Sequence, residues 1–480
     1  MLAKKHLTLF ITGTLLILLA GCGGGAHIAT PVAGGFTNAS LNGTYAFAVS
    51  GTNANGFFSV AGSFQANGNG TITTGTEDFT NQTITGTYTV RSDGRTTATL
   101  TGTNVTMTLD FVLLNTSTGL AIRFQNTATG SGSIDMQSSS AFNLASLAGT
   151  FAFNVSGSDA AGNPEGTTGV TTFDGAGDLT TGVFDDNDNG TVTANAAIAP
   201  VPLSLTSPAG GTGRGTLTFN AHTFAYYVVD ANHVKLVEID SGVTNPFLGG
   251  DAFRQSSTTV SGNFAFTVAG ATSSGNGVFA GGGVLNTDGA GNILNSSVTD
   301  IYNGGTLSSA QTTTGTYSVA GSGRGAMALT GSFGTLNFAI YPSSGGLQML
   351  ELDAAVLSSG AAQQQVGASF SNASLNGGFG LNLTGADLVV GSEVDAIAQL
   401  NSTGTGTFTG AFDFNDAGGL SPSLALTGTY SVSSNGRGTM TLSPSTLGTF
   451  HVLFYTVSNS RVLFIEPDTN QVSAGSIAIQ

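Results

Sequence analysis

One motif recurs four times along the chain, an arginine just after a turn: Arg95 in SDGRTTATL, Arg214 in GTGRGTLTF, Arg324 in GSGRGAMAL and Arg437 in SNGRGTMTL. A repeat of about 110 residues with its own strands and turns makes a string of small domains rather than one large fold. Each copy opens on a similar segment: SLNGTYAFAV from Ser40, SLAGTFAFNV from Ser146, TVSGNFAFTV from Thr259 and SLNGGFGLNL from Ser374. Alternation at period 2 puts Tyr45, Phe47 and Val49 on one face, as it does Phe151, Phe153 and Val155, then Phe264, Phe266 and Val268. These segments read as half-buried strands.

Turn signals containing Asn-Gly or Asp-Gly recur at Asn67, Ser92, Asp174, Asp288 and Ser434. They supply the positive φ that tight hairpins need, so neighbouring strands are sequential and antiparallel. In the first copy strands are expected near 43–50, 57–66, 70–78, 84–91, 96–102, 106–114, 119–125 and 131–137. The predicted fold class is all-β: four tandem antiparallel up-and-down meander modules at 40–137, 146–255, 259–365 and 374–480, each an eight-stranded small barrel. Closure removes the sheet edges that tandem Thr-rich sheets would present to one another. Tandem β-sandwiches are the alternative. The opening strand, the meander of hairpins and the final strands ending in Gln137, Gln255, Gln365 and Gln480 resemble the lipocalin and avidin type of calycin barrel. The resemblance covers each repeat loosely and implies architecture alone. No binding residue carries over, and the chain has no tryptophan, which those families place near the opening strand.

Lys4 and Lys5 precede the apolar run LTLFITGTLLILL, the layout of a secretory signal peptide over residues 1–21. Leu19-Ala20-Gly21-Cys22 resembles the lipobox of bacterial lipoproteins. The resemblance implies cleavage before Cys22, acylation of that cysteine, a membrane anchor through its lipid, and a place in the bacterial cell envelope at the outer membrane. Cys22 is the one cysteine of the chain, so no internal disulfide can form. Residues 22–39, rich in Gly and Ala, read as a flexible tether, while the short junctions that follow suggest touching modules in a semi-rigid rod. Loss of Lys4 and Lys5 leaves 9 of the 11 basic residues against 27 acidic ones, a net charge of −18. Such a surface argues against nucleic acid as a partner. Charged residues are only 8% of the chain, so Thr, Ser, Asn and Gly must cover its surface.

Late in three copies an acidic pair stands two residues apart: Glu238 with Asp240, Glu351 with Asp353, Glu466 with Asp468. The expectation is a structural ion pair in each module, Arg214, Arg324 or Arg437 tying an early hairpin to that late strand. Copy one has Arg123 where copies three and four have glutamate. DDNDNG places Asp185, Asn187 and Asn189 as in oxygen-ligand calcium loops, making a weak calcium candidate, although its twelfth position is Ala196. No cofactor is expected. The histidines His222, His233 and His451 show no metalloprotease spacing, and Glu238 with Asp240 could form a glycosidase-type dyad only in a generic sense. Three function classes follow. The first is a non-enzymatic envelope lipoprotein displaying four modules as a structural, adhesive or interaction surface for an extracellular protein or glycan. The second is a carrier of small molecules or glycans inside its barrels, and the third, least supported, a hydrolase. The Phe side chains on the core faces, among 31 in the chain, point to filled interiors.

Overall fold

The computed structural model describes residues 35–480 except 79, 220–221, 241–247, 256–258 and 274–276; the signal segment, Cys22 and most of the tether lie outside the described residues. Four eight-stranded antiparallel sheets follow one another along the chain. Module 1 comprises β1 (Asn42–Asn53), β2 (Gly56–Asn67), β3 (Thr71–Glu77), β4 (Gln82–Val90), β5 (Arg95–Thr101), β6 (Thr106–Leu113), β7 (Thr118–Gln125) and β8 (Ala128–Met136). Every strand expected in this copy is present. Module 2 comprises β9 (Gly149–Ser158), β10 (Pro164–Phe173), β11 (Leu179–Asp188), β12 (Thr191–Ile198), β13 (Arg214–Phe219), β14 (His222–Asp230), β15 (His233–Glu238) and β16 (Leu248–Arg254). Module 3 comprises β17 (Gly262–Thr272), β18 (Val278–Thr287), β19 (Asn292–Asn303), β20 (Thr306–Val319), β21 (Gly325–Gly331), β22 (Gly334–Ser343), β23 (Gly346–Glu351) and β24 (Val356–Gln364). Module 4 comprises β25 (Asn376–Asp387), β26 (Ser392–Thr403), β27 (Thr407–Asp416), β28 (Gly419–Val432), β29 (Arg437–Pro444), β30 (Phe450–Ser458), β31 (Arg461–Pro467) and β32 (Gln471–Ile479).

Modules 1, 3 and 4 are closed barrels, the first and last strands pairing as in Phe47 with Ile134, Phe266 with Ala362 and Leu381 with Ile477. Module 2 keeps the strand order but is open, β12 and β13 forming its two edges without pairing to each other. The segment between them carries Pro200, Pro202 and Pro208, which cannot donate to a ladder. It spans the gap through single bridges, Val201 to Leu179 and Leu205 to Leu217. No sheet pair forms a sandwich among the described residues.

The junctions do more than connect. Phe36, Leu41, Leu147, Phe370 and Leu375 are buried at barrel ends, beside short 3-10 turns at Asn38–Ser40, Leu144–Leu147 and Asn372–Ser374. The Asn38 side chain accepts from the Val90 amide at 2.8 Å, as Asn372 does from Val432 at 2.8 Å. The packed units therefore begin upstream of residues 40, 146 and 374, and the junctions are lids.

The modules form a ring rather than a rod. β1 and β2 pack on β14 to β16, β9 and β10 on β22 to β24, and β17 and β18 on β30 to β32. β25 and β26 pack in the same manner on β6 to β8, bringing module 4 back to module 1. Small outward residues allow this approach. Ala46 and Ala61 meet Tyr227 and Val237, Ala152 and Val170 meet Ala339 and Tyr341, Ala265 and Val284 meet Tyr455 and Leu463, and Ile397 meets Val112 and Ile122. A head-to-tail contact repeated with a closing rotation makes a ring instead of an open array. Deleting residues 366–480 uncovers an apolar face on module 1 and another on module 3. The shortened chain is expected to self-associate, and a monomer by light scattering would show instead that the modules are independent.

Candidate functional site

The repeated arginine marks each seam of the ring. Arg214 donates from Nε and Nη2 to both oxygens of Asp78 at 2.6 Å. Arg324 grips Asp185 at 2.8 and 2.6 Å, and Arg437 grips Asp300 at 2.8 and 2.7 Å. In each case the aspartate belongs to the preceding module. It lies at the end of the third strand or within it, faces outward and is almost fully buried. A tyrosine hydroxyl from the arginine's own module completes the group: Tyr227 to Asp78 at 2.6 Å, Tyr341 to Asp185, and Tyr455 to Asp300 at 2.9 Å. Burial pushes the Asp300 carboxyl up, but the Arg437 guanidinium and the Ala310 amide outweigh it and hold it below the usual range.

The ring-closing seam is built differently. Arg95 donates from Nη1 to Asp413 at 3.0 Å and from Nε to Asp93 of its own turn at 2.9 Å, and Val112 stands where the other modules have tyrosine. A second contact repeats at the seams. The Gln137 amide donates to the carbonyls of Thr212 at 2.9 Å and Val228 at 2.6 Å, Gln365 to Asn435 at 3.1 Å and Thr456 at 2.6 Å, and Gln480 to Asp93 and Leu113, both at 2.9 Å. The glycine before each arginine has positive φ and lies against that glutamine, so a Cβ at Gly94, Gly213, Gly323 or Gly436 would meet its amide nitrogen.

The expected pairing of arginine with the acids of its own module is thus corrected. Those acids point into their own barrel, because Glu238 lies opposite Phe224 and Glu351 opposite Phe338, both core residues. Glu351 accepts from Ser358 at 2.6 Å, and Glu466 from Ser473 at 2.7 Å and Gln471 at 3.0 Å. Burial pushes Glu351 up to about 8 and Glu466 well above the carboxylate range. Asp240, Asp353 and Asp468 instead hold the amides of Thr223, Asn337 and His451 at the start of the neighbouring strand. Arg123 sits with its guanidinium 4.7 Å over the Phe58 ring, and burial pulls it down to about 10 against the opposing effect of Glu77.

The calcium candidate dissolves in the same way. Asp185 is bound by Arg324, Tyr341 and the Asn195 amide, and the Asn187 amide group donates into module 3, to the Glu351 carbonyl at 3.0 Å and that of Val356 at 3.2 Å. Asn189 sits in a turn at φ 47°. The three side chains do not converge. One group of metal-ligand type does meet among the described residues: His222 Nδ1 lies 2.7 Å from Glu238 and 3.4 Å from Asp240. Its hydrogen bond to Glu238 is the main cause lifting His222 to about 9, so at neutral pH the imidazolium is itself the cation of this group. At the seam of modules 1 and 2, the buried Lys235 donates to Ser133 at 2.8 Å and pairs with Asp135 at 2.8 Å, while His233 meets Asp251 at 2.7 Å.

Buried apolar side chains pack the interior of each module. The cavity among Phe151, Phe153, Phe219 and Tyr226 of module 2 is about 30 Å³, and that beside Phe379 and Phe408 of module 4 about 10 Å³. Small-molecule sites occupy roughly 300–1,000 Å³.

No protein-family model matches the chain, and no curated protein does. Among solved structures it has similarity to a crystal structure of a protein of unknown function from the DUF3598 family of Nostoc punctiforme. The identity is 9%, over 72% of this chain and 100% of that one, with a TM-score of 0.17. A likeness so distant carries no argument about fold or function.

Proposed function

We propose that the chain is a non-enzymatic lipoprotein of the bacterial cell envelope, anchored at the outer membrane through Cys22, whose ring of modules is a structural or adhesive surface for a protein or glycan partner. The observation that carries this reading is the pairing of filled barrels with a closed ring. Packed interiors leave the outer Thr-rich faces as the recognition surface, and four rigidly joined modules hold those faces at fixed angles, so that weak single contacts can add by avidity. Interior cavities an order of magnitude below ligand size weigh against the carrier reading. The apolar run and Leu19-Ala20-Gly21-Cys22 support the anchor.

The test is metabolic labelling of the full chain with an alkynyl fatty acid in a diderm bacterium. Label and membrane fractionation are expected for the native chain, and Cys22→Ser is expected to lose both. Label persisting in Cys22→Ser overturns the anchor.

A further inference from the structure

A groove opens at two of the seams. Between modules 3 and 4 it measures about 470 Å³ and is lined by Leu307 and Ser309 on one wall and by Thr439, Leu453 and Pro467 on the other. Its counterpart between modules 4 and 1 is narrower, about 130 Å³, and chemically unlike it. Strand register aligns Asp110 with Ala225, Ala339 and Leu453. It aligns Phe124 with Ile239, Leu352 and Pro467, and the hydrogen bonding of the arginine turns aligns Arg91 with Ala209, Ala320 and Ser433. One seam alone therefore brings an acceptor, a donor and an aromatic ring around a small cavity.

Asp110 has no counterpart that explains it structurally. It is 6% exposed and its Oδ1 has no hydrogen-bond partner among the described residues, an arrangement that destabilises the fold unless something donates to it. Alanine at the aligned places of modules 2 and 3 shows that the barrel does not need a carboxyl there. Burial pushes this carboxyl up to about 7, against the lowering effect of the Thr97 hydroxyl. Arg91 is exposed and steadied by the Ser423 hydroxyl at 2.6 Å, and Arg95, turned to bridge Asp93 and Asp413, uses its Nη2 for neither. Phe124 and Pro422 supply the apolar walls. Two guanidinium groups set against Asp110 and Asp413 leave the lining nearly balanced in charge, which favours an uncharged ligand with vicinal hydroxyls over an ion.

We propose that the seam between modules 4 and 1 binds one uncharged sugar residue. Asp110 accepts from a ring hydroxyl, Arg91 donates to the neighbouring oxygen and Phe124 covers an apolar face of the pyranose. At about 130 Å³ the cavity is too small to enclose a whole small molecule, so it takes one residue at a glycan terminus, part of which stays in solvent. This goes beyond the scaffold reading, since a ring of modules needs no such pocket.

The test is saturation-transfer NMR of the unlipidated full chain with the methyl pyranosides of glucose, galactose, mannose and N-acetylglucosamine. At least one is expected to receive saturation. Asp110→Ala and Arg91→Ser, which install residues that other modules already carry, are each expected to weaken it at least tenfold without lowering the melting temperature. Leu453→Ala in the neighbouring groove should leave it unchanged. No transfer to any of the four sugars overturns the proposal, as does transfer that survives Asp110→Ala. Binding of acetate in place of the sugars also overturns it, assigning the site to a carboxylate.

Discussion

Asp185→Ala is expected to cost the folded chain about 3–5 kcal/mol, the range for removing one member of a buried charge pair. Asp185 is fully buried and accepts from Arg324 Nε and Nη2, from the Tyr341 hydroxyl and from the Asn195 amide. Alanine leaves the Arg324 guanidinium, which lies mostly out of solvent, facing an empty corner, and strands a tyrosine hydroxyl that burial and this carboxylate hold in its protonated form. Urea unfolding of the full chain measures the loss. Arg324→Ala should cost less, because it leaves Asp185 with its tyrosine and amide partners. The double variant should lose clearly less than the sum of the single ones. Additive losses, or a loss within a few tenths of a kcal/mol for Asp185→Ala, would show that the seam is held by its apolar contacts alone. The same substitution at Asp413 tests the ring-closing seam, where Arg95 keeps Asp93 as a second partner and the expected cost is smaller.

The strands were legible because the code for them is local. Alternating Phe and Thr set the faces, and Asn-Gly or Asp-Gly set the turns, so all eight strands of module 1 could be placed from residues a few positions apart. The arginine was legible as a fastener but not its target, because the search for a partner stopped at the boundary of each copy. Asp78, Asp185, Asp300 and Asp413 recur as regularly as the arginines do, and this second periodic charge was the signal that could have revealed seams between modules. Ring closure had a fainter signal in the outward positions of the opening strands. Where the exposed face of β4 carries Thr83, Thr85, Thr87 and Thr89, that of β1 carries Ala46 and Ala48 and that of β2 carries Ala61. Threonine suits a solvated strand face, and alanine lets another sheet lie flat against it. The angle of three of the seams is set by how such small residues meet Tyr227, Tyr341 and Tyr455, and alternation along a strand carries no trace of it. Asp110 was passed over for a similar reason. Its single charge means little until the register shows that the other copies place Ala225, Ala339 and Leu453 there.

Asp110 and the other buried carboxyls also set how the ring responds to pH, and stability is expected to fall as pH rises from about 4 to about 8. Burial is the first cause in each case. It lifts Asp110 and Asp395 to about 7, Glu165 and Glu351 to about 8, and Glu393 and Glu466 well above their ordinary range. Unfolded carboxyls titrate near 4, so across this window the folded chain holds more protons than the unfolded one, and the stability slope with pH is negative. Glu351, moved from 4.5 to about 8, accounts by itself for a loss on the order of 4–5 kcal/mol across the range at 1.36 kcal/mol per pKa unit. His222, lifted to about 9, adds to the decline at the alkaline end, where its pairing with Glu238 is lost. Asp251 and Asp300 act with the opposite sign. Burial raises both, but Lys235 and His233 for the one and Arg437 for the other win and hold them low, so their contribution disappears as pH falls below the ordinary carboxylate range. The two sets together place the optimum near pH 4–5, below the near-neutral optimum usual for globular proteins. A thermal melting series across this range measures it, and the midpoint should drop by roughly 10 °C or more at about 2–4 °C per kcal/mol. Glu351→Gln, which keeps the shape and removes the titration, should flatten the slope while barely changing the midpoint at pH 4.5. A midpoint that rises with pH across the whole range would mean that water or a cation reaches these carboxyls in the folded ring, and the barrel interiors and seams would then be wetter than their packing indicates.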